Sequence, residues 1–148
     1  MSGFRFQHMK IVIAGPGAIG CLFASLLAKV GQDVGLLDKD ARRADFLAGQ
    51  GILLDENGTT ATFKMPVSAD PSTLGTVDFL CICTKAFDTA EAIRHALPTL
   101  SAGATVVSIQ NGLGNAEEIA RHVPPAQIVC AVTSQGSTSL GTGHVRHA

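Results

Sequence analysis

KIVIAGPGAIGCLFASLLAKVGQDVGLLD, residues 10–38, decides the fold. Lys10–Ala14 is a short apolar run rich in β-branched residues, which suits a strand buried on both faces of a parallel sheet. The turn after it presents Gly15, Gly17 and Gly20 in the spacing G-x-G-x-x-G, with Pro16, Ala18 and Ile19 between them. Each glycine answers a separate need: Gly15 a tight exit from the strand, Gly17 backbone approach to a pyrophosphate, Gly20 close packing of the helix on the sheet. Ala18–Val30 follows as a helix, with Ile19, Leu22, Phe23, Leu26, Leu27 and Val30 at three- and four-residue spacings and no internal proline. Gly31 stands where a left-handed residue would end it. Val34–Leu37 is the second strand, and Asp38 at its end lies 23 positions after Gly15, near the ~20 expected for an acidic residue that meets a ribose. Together these features predict a dinucleotide-binding unit with the diphosphate on the N–H groups and positive dipole end of the first helix.

The 148 residues suit one domain with a continuous core. Charged residues make up 16% and the formal net charge is −1, which leaves no basic field for nucleic acid. No apolar run reaches the ~18 residues of a bilayer span, so no membrane partner is expected. Met1–Met9, MSGFRFQHM, lacks the apolar core of a signal peptide and reads as a leader or cloning remnant outside the fold. Cys21, Cys81, Cys83 and Cys130 fall among apolar neighbours in expected helix or strand and read as buried free thiols of a cytoplasmic protein. Neither they nor the five histidines show metal-ligand spacing. The histidines read as surface residues, with His144 and His147 on opposite faces of an expected strand.

Beyond the opening unit, Lys39–Gln50 begins charged and becomes helical, with Gly51 as its stop. Lys39, Arg42 and Arg43 stand where a 2′-phosphate on the adenosine ribose would lie, whereas Asp38 favours a free ribose hydroxyl; NADP and NAD are both open on these residues. Ile52–Leu54 and Thr59–Met65 form a hairpin across Asn57-Gly58, to which a structural role falls. Val77–Cys83 is a third buried strand. Lys85, just past it, sits at the ligand edge of a doubly wound sheet, in reach of a ribose or a carboxylate substrate. Asp88 or Thr89 caps a helix over Ala90–Leu97, and Thr105–Gln110 is the next strand. Asn111 follows at the same edge and offers both a donor and an acceptor. Asn115 with Glu118 signals a capped helix through Val123, and Ile128–Thr133 is a further strand. The close, Ser134–Ala148, reads as a small-residue loop entering an edge strand and stopping without a cap, as a truncated chain would. The fold class is α/β: a Rossmann-like, doubly wound, mostly parallel sheet with helices on both faces.

Four motifs in order, KIVIAGPGAIGCLFASLLAKVG, VDFLCICTKAFDT, VVSIQNGLGNAEEI and AVTSQGSTSLGTGHVRHA, resemble the N-terminal cofactor domain of the ketopantoate reductase (2-dehydropantoate 2-reductase) family. The resemblance implies an NADPH-dependent reduction of 2-dehydropantoate to pantoate, toward pantothenate and coenzyme A, with NADH as the alternative cofactor. It implies that Gly15, Pro16, Gly17, Ala18, Ile19 and Gly20 hold the pyrophosphate and that Lys39 meets the 2′-phosphate. Lys85 and Asn111 match positions beside the nicotinamide and the substrate, and Ser137 falls near one whose backbone touches the cofactor. The family's general acid is a lysine on a helical C-terminal domain, expected beyond Ala148 and absent from this chain, so residues 10–148 are expected to bind NADP(H) without turning over the keto acid. A relative acting on another 2-keto or 3-hydroxy acid, and a standalone nucleotide-binding module, are the alternatives. A homodimer is a further expectation.

Overall fold

In the computed structural model, which describes residues 8–148, the chain opens with β1 (Ile11–Ala14), α1 (Ala18–Lys29), β2 (Val34–Leu37) and α2 (Ala41–Gln50). β3 (Ile52–Glu56), β4 (Thr59–Phe63) and the two-residue β5 (Val67–Ser68) come next, followed by β6 (Val77–Ile82), α3 (Thr89–Ala96) and β7 (Leu100–Ser108). α4 (Asn115–Ala120), β8 (Ile128–Cys130), β9 (Ser137–Gly141) and β10 (His144–His147) complete the order. Of the expected leader over residues 1–9, only His8 and Met9 fall within the described residues.

Six strands make one parallel sheet in the order β5-β2-β1-β6-β7-β8. The chain steps outward from β1 on one side and then returns to its other side, so the order reverses between β1 and β6 and opens a crevice at the strands' carboxyl ends. Side chains of β1 alternate between two cores: Ile11 and Ile13 pack with Leu22, Ala44 and Leu47 of α1 and α2, while Val12 and Ala14 pack with Ile93, Ala96 and Ile119 of α3 and α4. Helices therefore cover both faces, and the sheet is Rossmann-like and doubly wound. α1 stops as its sequence predicts: Gly31 takes φ +78, its N–H bonds Ala28 O and that of Gln32 bonds Leu27 O. No helix among the described residues is long and apolar enough to cross a membrane.

A second sheet, β4-β3-β10-β9, takes in the expected hairpin, and the close of the chain, expected as a loop entering one edge strand, supplies two of its strands. β3 and β4 turn through Asn57 and Gly58, both at positive φ, while β9 and β10 form another hairpin that docks in parallel on β3. Leu54 and Val145 from this sheet share a core with Cys21 and Leu22, so α1 is covered on its outer side. Other expectations shift locally. Gly114, at φ +86, occupies the N-cap of α4, which ends at Ala120, and the Asn115 side chain turns back to the carbonyls of Asn111 and Gly112. Asp88 makes no cap bond to α3, and its carboxylate accepts from Lys39 instead. β8 is a short edge strand with Cys130 exposed, and Cys83 is half-buried, so the four thiols are not uniformly interior. His95, His122, His144 and His147 are half-buried rather than free on the surface, and His144 and His147 bond Asp55 and Glu56.

Candidate functional site

The crevice between β1 and β6 is a cleft of about 730 Å³ including its open mouth. Gly15, Pro16 and Gly17 form its floor, Asp38, Lys39 and Arg43 one wall, and Thr84, Lys85 and the first turn of α3 the other. The three glycines are demanded by different things. Gly15 has φ +98 and lies so close to Thr84 that a Cβ would sit 2.8 Å from its methyl group. A Cβ on Gly20 would collide with the Gly15 carbonyl oxygen. Gly17 is in extended backbone, and a Cβ there would meet no protein atom within 4 Å. Packing therefore requires the first and third glycines, whereas the middle one faces open space in the cleft.

Gly17 is also the N-cap of α1 and supplies no side-chain cap bond, in contrast to α2, where the Asp40 carboxylate accepts the Arg43 N–H. The start of α1 thus presents uncapped N–H groups and the positive dipole end to the cleft, which suits an anionic diphosphate. The residues present fit a dinucleotide.

At the far wall, Asp38 is 1% exposed. Arg43 grips it with two bonds of 2.6 Å, from Nε to Oδ2 and from Nη2 to Oδ1, and the Asp40 N–H donates to Oδ1 at 3.0 Å. The bond to Asp38 also holds the guanidinium more firmly protonated than usual. The carboxylate expected to meet a ribose is therefore neutralised, with three bonds already made. Lys39 Nζ reaches across the cleft mouth to Asp88 at 2.8 Å and lies 3.5 Å from Glu91; the Asp88 bond raises its pKa above the ordinary lysine value. Cys21 beneath the turn donates to Pro16 O, and burial pushes its thiol pKa up to about 12. At neutral pH that thiol is an inert packing group.

The structure places Gly15, Pro16, Gly17, Lys39 and Lys85 along the cleft. Asn111 is exposed beyond the end of β7, which pairs in parallel with β6, so Lys85 and Asn111 follow neighbouring strands at one sheet edge. Ser137 lies on the opposite flank, its hydroxyl donating to Ala18 O at 2.9 Å and tying β9 to the first turn of α1. Sequence reasoning did not identify Gln110 and Thr89, whose side chains join the Lys85 loop to the Asn111 loop. The available signal was a glutamine ending an apolar strand, where a hydrophobic residue is the default.

Comparison with known proteins agrees with this geometry. The family model described as ketopantoate reductase PanE/ApbA matches residues 11–148. The 2-dehydropantoate 2-reductase of Halobacterium salinarum is 36% identical over 141 residues, covering 95% of this chain and 46% of that protein. Among solved structures, a PanE/ApbA family ketopantoate reductase from Ralstonia eutropha superposes with a TM-score of 0.83 at 32% identity, over 94% of this chain and 46% of that one. The ternary structure of D-mandelate dehydrogenase with NADH and anilino(oxo)acetate gives 0.88 at 27% identity, over 95% and 45%. The chain spans less than half the length of these curated and solved relatives.

Proposed function

The chain belongs to the ketopantoate reductase PanE/ApbA family, and from that membership we propose that it supplies the nucleotide-binding part of an NADPH-dependent reduction of 2-dehydropantoate to pantoate. Gly17 carries the reading: the glycine that packing leaves free faces the cleft at the uncapped start of α1, where a dinucleotide's diphosphate needs close backbone approach. When bound, the reduced nicotinamide supplies the hydride for the ketone carbon. The chain's own groups bind and orient. The N–H groups of Ala18, Ile19 and Gly20 hold the diphosphate. Lys85 offers its ammonium to the carboxylate or carbonyl oxygen of the keto acid, and the Asn111 amide donates and accepts beside the ring. Ser137 fixes the first turn of α1 from behind. In this reading the proton for the substrate oxygen comes from a lysine of a helical domain outside these 148 residues, and the protein works in the cytoplasm, where its cysteines stay reduced.

NADPH is preferred in this reading because Asp38, which when free would repel a 2′-phosphate, is buried and neutralised by Arg43. Lys39 at the cleft lip has exposed carboxylate partners that a phosphate dianion can displace. A second reading, reduction of another 2-keto acid with NADH, is favoured by the superposition on D-mandelate dehydrogenase with NADH. Titrating the chain with both cofactors and then adding 2-dehydropantoate tests these statements together. Saturable NADPH binding with no consumption of the reduced nicotinamide is expected. A stronger response to NADH selects the second reading; steady NADPH oxidation by the chain alone overturns the division of labour, and indifference to both cofactors overturns the function.

A further inference from the structure

Two amide side chains hold the loops that carry Lys85 and Asn111. Gln110 Nε2 donates to Thr84 O at 2.9 Å and lies 3.3 Å from Lys85 O, while its Oε1 accepts from Ser108 Oγ at 3.1 Å. Asn115 Nδ2 lies 3.3 Å from the carbonyl oxygens of both Asn111 and Gly112. Between the two amides stands the hydroxyl of Thr89, a residue 1% exposed. It donates to Ala86 O at 2.8 Å, accepts from Gln110 Nε2 at 2.9 Å and lies 3.3 Å from Asn115 Oδ1. Gln110 thus spends its two amide hydrogens on Thr84 O and the Thr89 hydroxyl, and Thr89 spends its one on Ala86 O, so the loop is held on both sides of Lys85 from the residue that precedes Asn111. Bonds of this kind, anchored on a buried hydroxyl, select one loop geometry over its neighbours.

We propose that Gln110 and Thr89 are positioning residues, which hold Lys85 and Asn111 at a fixed spacing for the nicotinamide end of the cofactor. Neither lines the cleft, so each acts through the loop backbones. Because this role presupposes the nucleotide reading above, the test uses two ligands that share the phosphate end and differ at the ring. NADPH carries the nicotinamide; 2′-phospho-ADP-ribose stops short of it. The chain contains no Trp and no Tyr, so the emission of the reduced ring is read against a dark protein.

Thr89→Val keeps the side-chain shape and removes the hydroxyl; Gln110→Met keeps the length and removes both amide functions. Thr89→Ser restores the hydroxyl. In variants whose thermal melt shows a folded chain, NADPH affinity should fall about tenfold, the size expected from losing one or two such bonds, and the emission gain of the bound ring should disappear. Affinity for 2′-phospho-ADP-ribose should stay at the wild-type level, and Thr89→Ser should behave as wild type toward both ligands. Equal losses on both ligands, or unaltered NADPH binding and emission, would overturn the proposal, as would failure of both Thr89→Val and Gln110→Met to fold. A wild-type chain that binds neither ligand removes the nucleotide reading itself, a different outcome from any of these.

Discussion

Replacing Gly17 by alanine separates binding from folding more cleanly than any other single change. The residue sits at φ −78 and ψ −168, which alanine adopts freely, and the new methyl group would touch nothing in the protein. The folding cost is then only the poorer N-cap, about 0.5–1 kcal/mol, or roughly 1–4 °C in melting temperature for a domain of this size. Binding suffers more. The methyl group occupies the space through which the diphosphate must approach the N–H groups of Ala18 and Ile19, and losing one charge-assisted bond there costs about 1.5–3 kcal/mol. That corresponds to a roughly 10- to 150-fold weaker Kd. Fluorescence titration with NADPH, beside a thermal melt, reads both quantities on one sample. A Gly17→Ala chain that binds NADPH as tightly as wild type would refute the placement of the diphosphate.

The neighbouring glycine should behave the opposite way: Gly20→Ala drives a Cβ into the Gly15 carbonyl, so denaturant unfolding should show a loss of about 1–3 kcal/mol. Arg43→Ala leaves the buried Asp38 carboxylate without its bidentate partner and should destabilise the chain by about 1–3 kcal/mol; it should also narrow the preference for NADPH over NADH, measured as the ratio of the two Kd values. Acid should destabilise the second sheet: Asp55 is held below the usual carboxylate range by His144, and Glu56 by Lys29 and then His147. Both bind a proton less readily folded than unfolded, so their contribution is intact above the ordinary value of about 4 and disappears as pH falls through their lower folded values. A plot of melting temperature against pH should therefore be flatter on the acid side for Asp55→Asn than for wild type. Native thiol labelling should modify Cys130 first and leave Cys21 and Cys81 for the unfolded chain, as their burial dictates, with mass spectrometry of the labelled peptides as the readout.

Residues 10–38 are legible in the sequence because each of their signals is local: an apolar strand, three glycines with separate duties, a helical period and a left-handed stop. Of the second sheet only the β3–β4 hairpin is, through Asn57-Gly58; the docking of β10 on it is not, because Val145 pairs with Leu54, far away in the chain, and β9 and β10 carry small or polar residues whose alternation is weak. Lys39 and Arg43 are readable as charges after a strand, but their partners are not. Asp88 reads as a helix cap until the fold places it opposite Lys39, and Asp38 reads as a ribose ligand until Arg43, one helical turn on, folds back over it. Thr89 and Asn115 likewise look like caps, since Thr and Asn near helix starts usually serve the local backbone. The long-range task of Thr89 appears only when β6 and β7 lie side by side and bring Gln110 against it.

Backbone amide shifts of the isotopically labelled chain, followed by NMR during addition of NADPH, test most directly whether the paired phosphates rest on the amino end of α1. Ala18, Ile19 and Gly20 should move most, with a second group of shifts around Lys85 and Asn111. Saturation that leaves these three amides in place, or shifts confined to the second sheet, would contradict the assignment.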